Sequence, residues 1–244
     1  MLRRMVWSMV WGIALLGGVV RAQEAFFEPL DYGVVASDQP RFYVSGLIGS
    51  SWATLTTEDP GQVAVPSAVD PILTAGGAVG VAFERQAGRL RLEIEGRGHG
   101  TLATSSADAV QTTSFQATDT WSAMANLWRD IDVTRKLSLY AGGGVGGGGY
   151  QFDFQSSIPA SGTDSSAQAA VTAFAWQAGC GVNYALTDRI TIDLGYRFFA
   201  IDSGSVDLVQ TSGAASSTSR LANGFSASEL LLGVRIYEPF RRWR

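Results

Sequence analysis

The sequence predicts an all-β chain: an eight-stranded antiparallel up-and-down transmembrane β-barrel with short periplasmic turns and long external loops. Three observations predict it. Stretch after stretch alternates with period 2, one face aliphatic or aromatic and the other glycine or charge. The stretches number eight, and the even number returns both ends of the barrel to one side. Short polar connections alternate with long ones, as a barrel with periplasmic turns and external loops requires.

Before the strands, Arg3 and Arg4 precede the nearly uncharged apolar run Met5 to Val20. Val20-Arg21-Ala22 then supplies small residues at the positions a signal peptidase reads, so residues 1–22 are expected to be a signal peptide cleaved after Ala22. The run is shorter than the ~20 apolar residues of a spanning helix. Removing it takes away Arg3, Arg4 and Arg21 and moves the formal charge from −4 to −7. An acidic chain of this kind has no electrostatic case for nucleic acid. The single cysteine, Cys180, forbids an internal disulfide, and one histidine leaves no Cys/His metal set. Residues 23–40, with Pro29 and Pro40, read as an irregular periplasmic N-terminal segment.

The barrel is expected over 41–240. Its first strand covers about 41–56, and Glu58 to Pro71, with three prolines, reads as a loop. The second strand, about 72–86, alternates Ala75, Gly77, Val79, Val81 and Phe83 with Gly76, Ala78, Gly80, Ala82 and Glu84. After the turn Gln86 to Arg89, the third sets Leu90, Leu92 and Ile94 against Arg91, Glu93, Glu95, Arg97 and His99. About 102–115 is Ser/Thr/Ala-rich and loop-like. The fourth strand, about 116–130, opposes Trp121, Ala123, Ala125 and Leu127 to Ser122, Met124, Asn126 and Trp128, and the segment from Asp130 to Arg135 reads as its tight polar connection. The fifth covers about 136–151, and a loop follows around 155–169.

The sixth strand, about 171–185, places Phe174, Trp176, Ala178, Cys180, Val182 and Tyr184 on one face. Leu186-Thr187-Asp188 turns into the seventh, where Ile190, Ile192, Leu194, Tyr196 and Phe198 oppose Thr191, Asp193, Gly195 and Arg197. A polar loop, about 203–224, leads to the eighth, in which Leu230, Leu232, Val234 and Ile236 oppose Glu229, Leu231, Gly233, Arg235 and Tyr237. Residues 241–244 form a basic C-terminal tail.

A soluble sandwich would turn the aliphatic faces inward, whereas a membrane barrel turns them to lipid and fills its lumen with the other face. On that assignment Glu84, Arg91, Glu93, Glu95, Arg97, Asp193, Arg197, Glu229 and Arg235 share a bore only wide enough to be filled by side chains. Buried ions persist when paired, so an ion-pair network and a plugged interior are expected. Trp52, Trp121, Trp128 and Trp176 are candidates for the aromatic girdles.

Glu-Leu-Leu-Leu-Gly-Val-Arg-Ile-Tyr, at 229–237, resembles the closing strand of the OmpA-like outer-membrane β-barrel domain family, the small eight-stranded barrels of porin or opacity type. Leu-Arg-Leu-Glu-Ile-Glu-Gly, Ala-Asn-Leu-Trp-Arg-Asp, Tyr-Ala-Gly-Gly-Gly-Val-Gly, Ala-Trp-Gln-Ala-Gly-Cys-Gly-Val-Asn-Tyr and Ile-Asp-Leu-Gly-Tyr-Arg-Phe are similar to its inner strands. The resemblance covers about 41–237. It implies an integral outer-membrane protein, with outer-membrane lipid, lipopolysaccharide and the barrel-assembly machinery as partners. The family spans adhesins, structural anchors and proteins of unknown role. The expectation is therefore a non-enzymatic structural or surface-interaction protein, for adhesion or shielding, with an unidentified ligand at the external loops and no cofactor.

Other chemistries find weaker support in the residues. Gly142 to Gly149 lacks the Lys-Ser/Thr of a phosphate-binding loop, and no helix follows it. His99, near Ser105, Ser106 and Asp108, is the one candidate base. Lipid-modifying outer-membrane barrels use such a His with a Ser and a carboxylate, but here no convincing wall nucleophile accompanies it. That enzyme and a small-solute pore are the alternatives. Glu93 and Glu95, flanked by Arg91 and Arg97, read as a salt-bridge ladder rather than an acid/base pair.

Overall fold

The computed structural model describes residues 40–58, 69–85, 87–107, 111–212 and 215–240. The expected signal peptide at 1–22, the leader from 23 to 39, the centre of the first long loop and the tail at 241–244 lie outside the described residues. Among the described residues every regular element is a strand. They are β1 (Arg41–Glu58), β2 (Val69–Arg85), β3 (Gly88–His99), β4 (Leu102–Ala107), β5 (Thr112–Asp132), β6 (Leu137–Ile158), β7 (Thr163–Ala185), β8 (Ile190–Ser212) and β9 (Ala215–Tyr237).

All neighbours are antiparallel, in the order β3-β2-β1-β9-β8-β7-β6-β5-β4, and β3 also pairs with β5. That extra ladder, Gly88↔Ile131 to His99↔Thr120, closes a ring of eight strands. The short β4 continues the line of β3 after a break at Gly100-Thr101 and pairs with the upper part of β5. Opposite the break, β5 bulges between Thr118 and Trp121, with Asp119 at φ 50°. A bulge of this kind lets a strand bend without leaving the sheet.

The alternation sorts the two faces as the sequence implies. Leu92, Ile94, Leu127, Leu194, Leu230, Leu232 and Val234 are exposed on the outside, whereas Arg91, Glu93, Glu95, Arg97, Glu229 and Arg235 are buried within. Cys180 is exposed on the outer face. Three of the expected external loops are corrected. Residues 102–115, 155–169 and 203–224 are mostly strand, and β6/β7 and β8/β9 run on as long hairpins, the first of them turning at 159–162. The first loop is shorter too, since β1 reaches Glu58 and β2 starts at Val69.

The reason is that period 2 persists through these Ser/Thr-rich segments. Inward positions in and beside them carry Phe115, Phe152, Phe154, Val206, Leu208 and Phe225, all nearly inaccessible. Together with Leu55, Leu102, Tyr150 and Phe199 they form one apolar core in the external half of the barrel. Burial of those aromatics stabilises hairpins that polar outward residues alone would leave as loops.

Trp128 is the other correction. Trp52 and Trp121 are exposed on the outer face, at 44% and 45%, but Trp128 points inward and is fully buried. It shares the parity of Asn126 and Met124. Glycine makes room for such rings. A Cβ on Gly142 would lie 2.8 Å from the Trp128 ring, and one on Gly195 would collide with the Tyr140 hydroxyl.

Candidate functional site

The candidate site is the lumen, because that is where the chain gathers its buried charge. Each strand that contributes does so through the inward half of its alternation. Four guanidinium groups (Arg91, Arg97, Arg197 and Arg235) meet five carboxylates (Glu93, Glu95, Asp130, Asp193 and Glu229) in the periplasmic and middle parts of the bore.

The lower layer is centred on Arg91 and Arg235. Arg91 Nε donates to both oxygens of Asp130 at 3.0 Å, and its Nη1 lies 3.8 Å from Glu93. Arg235 Nη2 donates to Asp193 at 2.7 and 2.9 Å, and Nη1 is 4.0 Å from Asp130. Glu93 also accepts from Tyr43 Oη at 3.0 Å, Asn126 Nδ2 at 3.2 Å and Trp128 Nε1 at 3.3 Å. A carboxylate with this many donors is held in one orientation.

The upper layer is centred on Arg97 and Glu95. Arg97 Nη1 donates to Glu229 and its Nη2 to Gln177 Oε1 at 2.5 Å. Its Nε lies 2.8 Å from Glu95, a charge contact not aligned as a hydrogen bond. Arg197 Nη1 donates to the other oxygen of Glu95 at 2.5 Å. Gln177 Nε2 reaches Asn126 Oδ1 at 2.6 Å and so ties the two layers together. Each of the four arginines also lies over an aromatic ring: Arg91 on Tyr140, Arg97 on Phe199, Arg197 on Trp128 and Arg235 on Tyr43, at 4.8–5.3 Å. Between the layers a cavity of about 20 Å³ remains, bordered by Arg91, Glu93, Tyr140, Asp193, Arg197 and Arg235. That is room on the scale of one water molecule.

Of the nine residues named from the sequence, the lumen holds Arg91, Glu93, Glu95, Arg97, Asp193, Arg197, Glu229 and Arg235. Glu84 stands apart at the periplasmic rim, half-buried, 3.7 Å from Arg89. Sequence reasoning missed Asp130, which it assigned to a turn, although Asp130 continues the inward parity of Ser122, Asn126 and Trp128. It also missed the polar brackets Tyr43, Asn126 and Gln177.

His99 sits where the charged layers meet the apolar core. Its ring stacks on Phe199 at 5.3 Å, and Nδ1 lies 2.9 Å from Thr74 Oγ1 and 3.4 Å from Glu229 Oε1. A nucleophile-activating histidine uses one ring nitrogen for the hydroxyl and the other for the orienting carboxylate. Here both contacts fall on Nδ1, and Nε2 is buried without a hydrogen-bond partner among the described residues. Of the groups named with it, Ser105 is exposed on β4, and the carboxyl-bearing Asp108 lies outside the described residues.

Comparison with known proteins bears on the whole chain. An 89-residue stretch is 34% identical to an uncharacterized protein of Brucella abortus (strain 2308), covering 35% of this chain and 31% of that one. An uncharacterized protein of Brucella melitensis biotype 1 matches to the same extent. The matched stretch thus spans about a third of those relatives' length. Among solved structures, Neisserial surface protein A is 20% identical, with 83% of this chain and 99% of that one aligned at a TM-score of 0.40. A major outer membrane protein from Thermus thermophilus is 10% identical, with 82% and 99% aligned at 0.46. The attachment invasion locus protein Ail of Yersinia pestis is 13% identical, with 78% and 97% aligned at 0.31. The family described as outer membrane protein beta-barrel domain matches residues 13–234. With that match running over most of its length, the chain belongs to the outer membrane protein beta-barrel domain family.

Proposed function

We propose that this outer-membrane barrel is non-enzymatic and non-conducting, and acts as a structural anchor that presents its external hairpins for surface interaction, in adhesion or shielding. One observation carries the reading. The bore is filled at two heights, by the paired charges below and by the aromatic and aliphatic core above. A solute would have to break both layers, and a buried ion stripped of its partner costs about 3–5 kcal/mol. Lipopolysaccharide and the barrel-assembly machinery are the partners this reading implies.

The hairpins favour surface interaction because they are ordered scaffolds with polar outward faces. Asp153, Asp164, Asp202, Asp207 and Arg220 lie on them, and the last two form an exposed ion pair at 3.6 Å. A lipid-modifying enzyme centred on His99 is disfavoured by the two contacts on a single ring nitrogen. The test is reconstitution of the refolded chain into planar bilayers. No unitary conductance is expected. A stable, reproducible conductance step would overturn the plugged reading in favour of a small-solute pore.

A further inference from the structure

The outer wall carries a feature that the lumen does not explain. A groove of about 890 Å³ lies on the lipid-facing side of β1, β2, β3 and β5, in the periplasmic half, with Pro239 and Phe240 along one margin. Its volume falls within the roughly 300–1,000 Å³ of sites that hold a small ligand. The ladder registers place its side chains in cross-strand rows. Val44, Val79, Ile94 and Ala125 form one row, and Phe42, Val81 and Leu92 the next toward the periplasm.

Two features set this stretch apart from an ordinary lipid-facing wall. On the side toward the membrane centre the next row is Gly46, Gly77, Gly96 and Ala123. A Cβ on Gly46 or Gly96 would meet nothing within 4 Å, so these glycines make no room for a protein neighbour and instead leave the wall recessed. On the periplasmic side the next row is Phe83, Leu90 and Arg129. Arg129 thus stands on the outer face of a membrane strand, half-buried, with no ion pair among the described residues. Arg85 lies one row further toward the periplasm, on β2, its guanidinium 5.8 Å from the Phe83 ring and donating to the Glu84 carbonyl at 3.0 Å. The carboxylate bordering the groove, Glu238, is engaged by Arg41 at 4.0 Å.

We propose that this groove is a binding site for an anionic phospholipid of the inner leaflet. An acyl chain lies along the trough over Val44, Val79 and Ile94, beside Phe240, and runs on toward the recessed glycine row, while the headgroup phosphate is received by Arg129 and Arg85. The charge complementarity decides the occupant. An apolar trough alone takes any acyl chain, but two guanidinium groups at the headgroup level favour a phosphate whose charge is not cancelled by a choline. The proposal is independent of whether the lumen conducts.

The test uses the refolded full chain in zwitterionic detergent, incubated with phosphatidylglycerol and phosphatidylcholine of matched acyl chains. Retained lipid is read by native mass spectrometry. About tenfold preferential retention of one phosphatidylglycerol is expected. Arg85→Gln with Arg129→Gln should bring the two lipids near parity, while the Lys pair at the same positions keeps the preference. Gly46→Leu with Gly96→Leu should fill the recess without meeting a protein neighbour and lower retention of both lipids. Equal retention by the unaltered chain, or an undiminished preference in the Gln pair, would overturn the proposal. Displacement of the lipid by equimolar inorganic phosphate would overturn it too, since the site would then recognise free phosphate.

Discussion

Glu95 illustrates how a buried charge is held at the scale of one residue. Arg97 and Arg197 reach its two oxygens from different strands. Replacing it by Gln keeps the volume and removes the charge, leaving Arg197 without its carboxylate while Arg97 keeps only Glu229. Glu95→Gln is therefore expected to lower the unfolding free energy by about 3–5 kcal/mol. Glu84→Gln, at the half-exposed rim pair, should cost about 0–1 kcal/mol. Urea unfolding of the two variants in lipid vesicles makes the comparison, and equal losses would mean that the network does not hold the barrel together. His99 makes a related point. Its hydroxyl and carboxylate neighbours share one ring nitrogen, the other has no hydrogen-bond partner among the described residues, and the ring stacks on Phe199.

At the scale of elements, the hairpins are where sequence and structure part. Segments such as Ser203 to Gly224 are rich in Ser, Gly and Ala and carry turn signals, so composition reads as loop. Their inward residues nonetheless reach a shared core, which supplies the burial that local propensity lacks. That dependence is testable at Phe225, which pairs with Ile201 and faces Tyr150, Phe199 and His99. Phe225→Ala should cost about 3–5 kcal/mol and increase proteolysis within the β8–β9 hairpin, with β1 to β3 still protected. Uniform protection across the chain would mean that the hairpin stands without the core. Trp128 belongs at this scale as well. A tryptophan in a membrane strand suggests the lipid interface, yet its place in the alternation sets it inside, beneath Arg197 and beside Tyr140.

At the scale of the whole molecule, closure of β3 against β5 leaves no long edge in the membrane. A closed barrel of this kind resists detergent until heated. Unboiled protein in the outer-membrane fraction should therefore migrate differently from boiled protein on a detergent gel. Identical mobilities, with the chain recovered in the soluble fraction, would contradict the closed membrane barrel. The two halves of the barrel also differ in character. The periplasmic half holds charge within and the lipid-facing groove without, whereas the external half is filled by aromatics and carries acidic hairpins.

The sequence by itself determined which side chains face lipid and which face the lumen. Period 2 is a local property, so Leu230, Leu232 and Val234 fall on one face and Glu229 and Arg235 on the other whatever the strand pairs with. It determined the number of membrane-crossing strands and the short turns for the same reason. Only the tertiary structure decided which charges pair and what fills the external half. Arg97 finds Glu229 across 132 residues, and Arg197 finds Glu95 across 102. Those meetings depend on register, bulges and ring closure, which no single stretch encodes. The same closure draws Asp130 into the network and turns Ser- and Thr-rich segments into hairpins, because it alone brings their inward phenylalanines face to face.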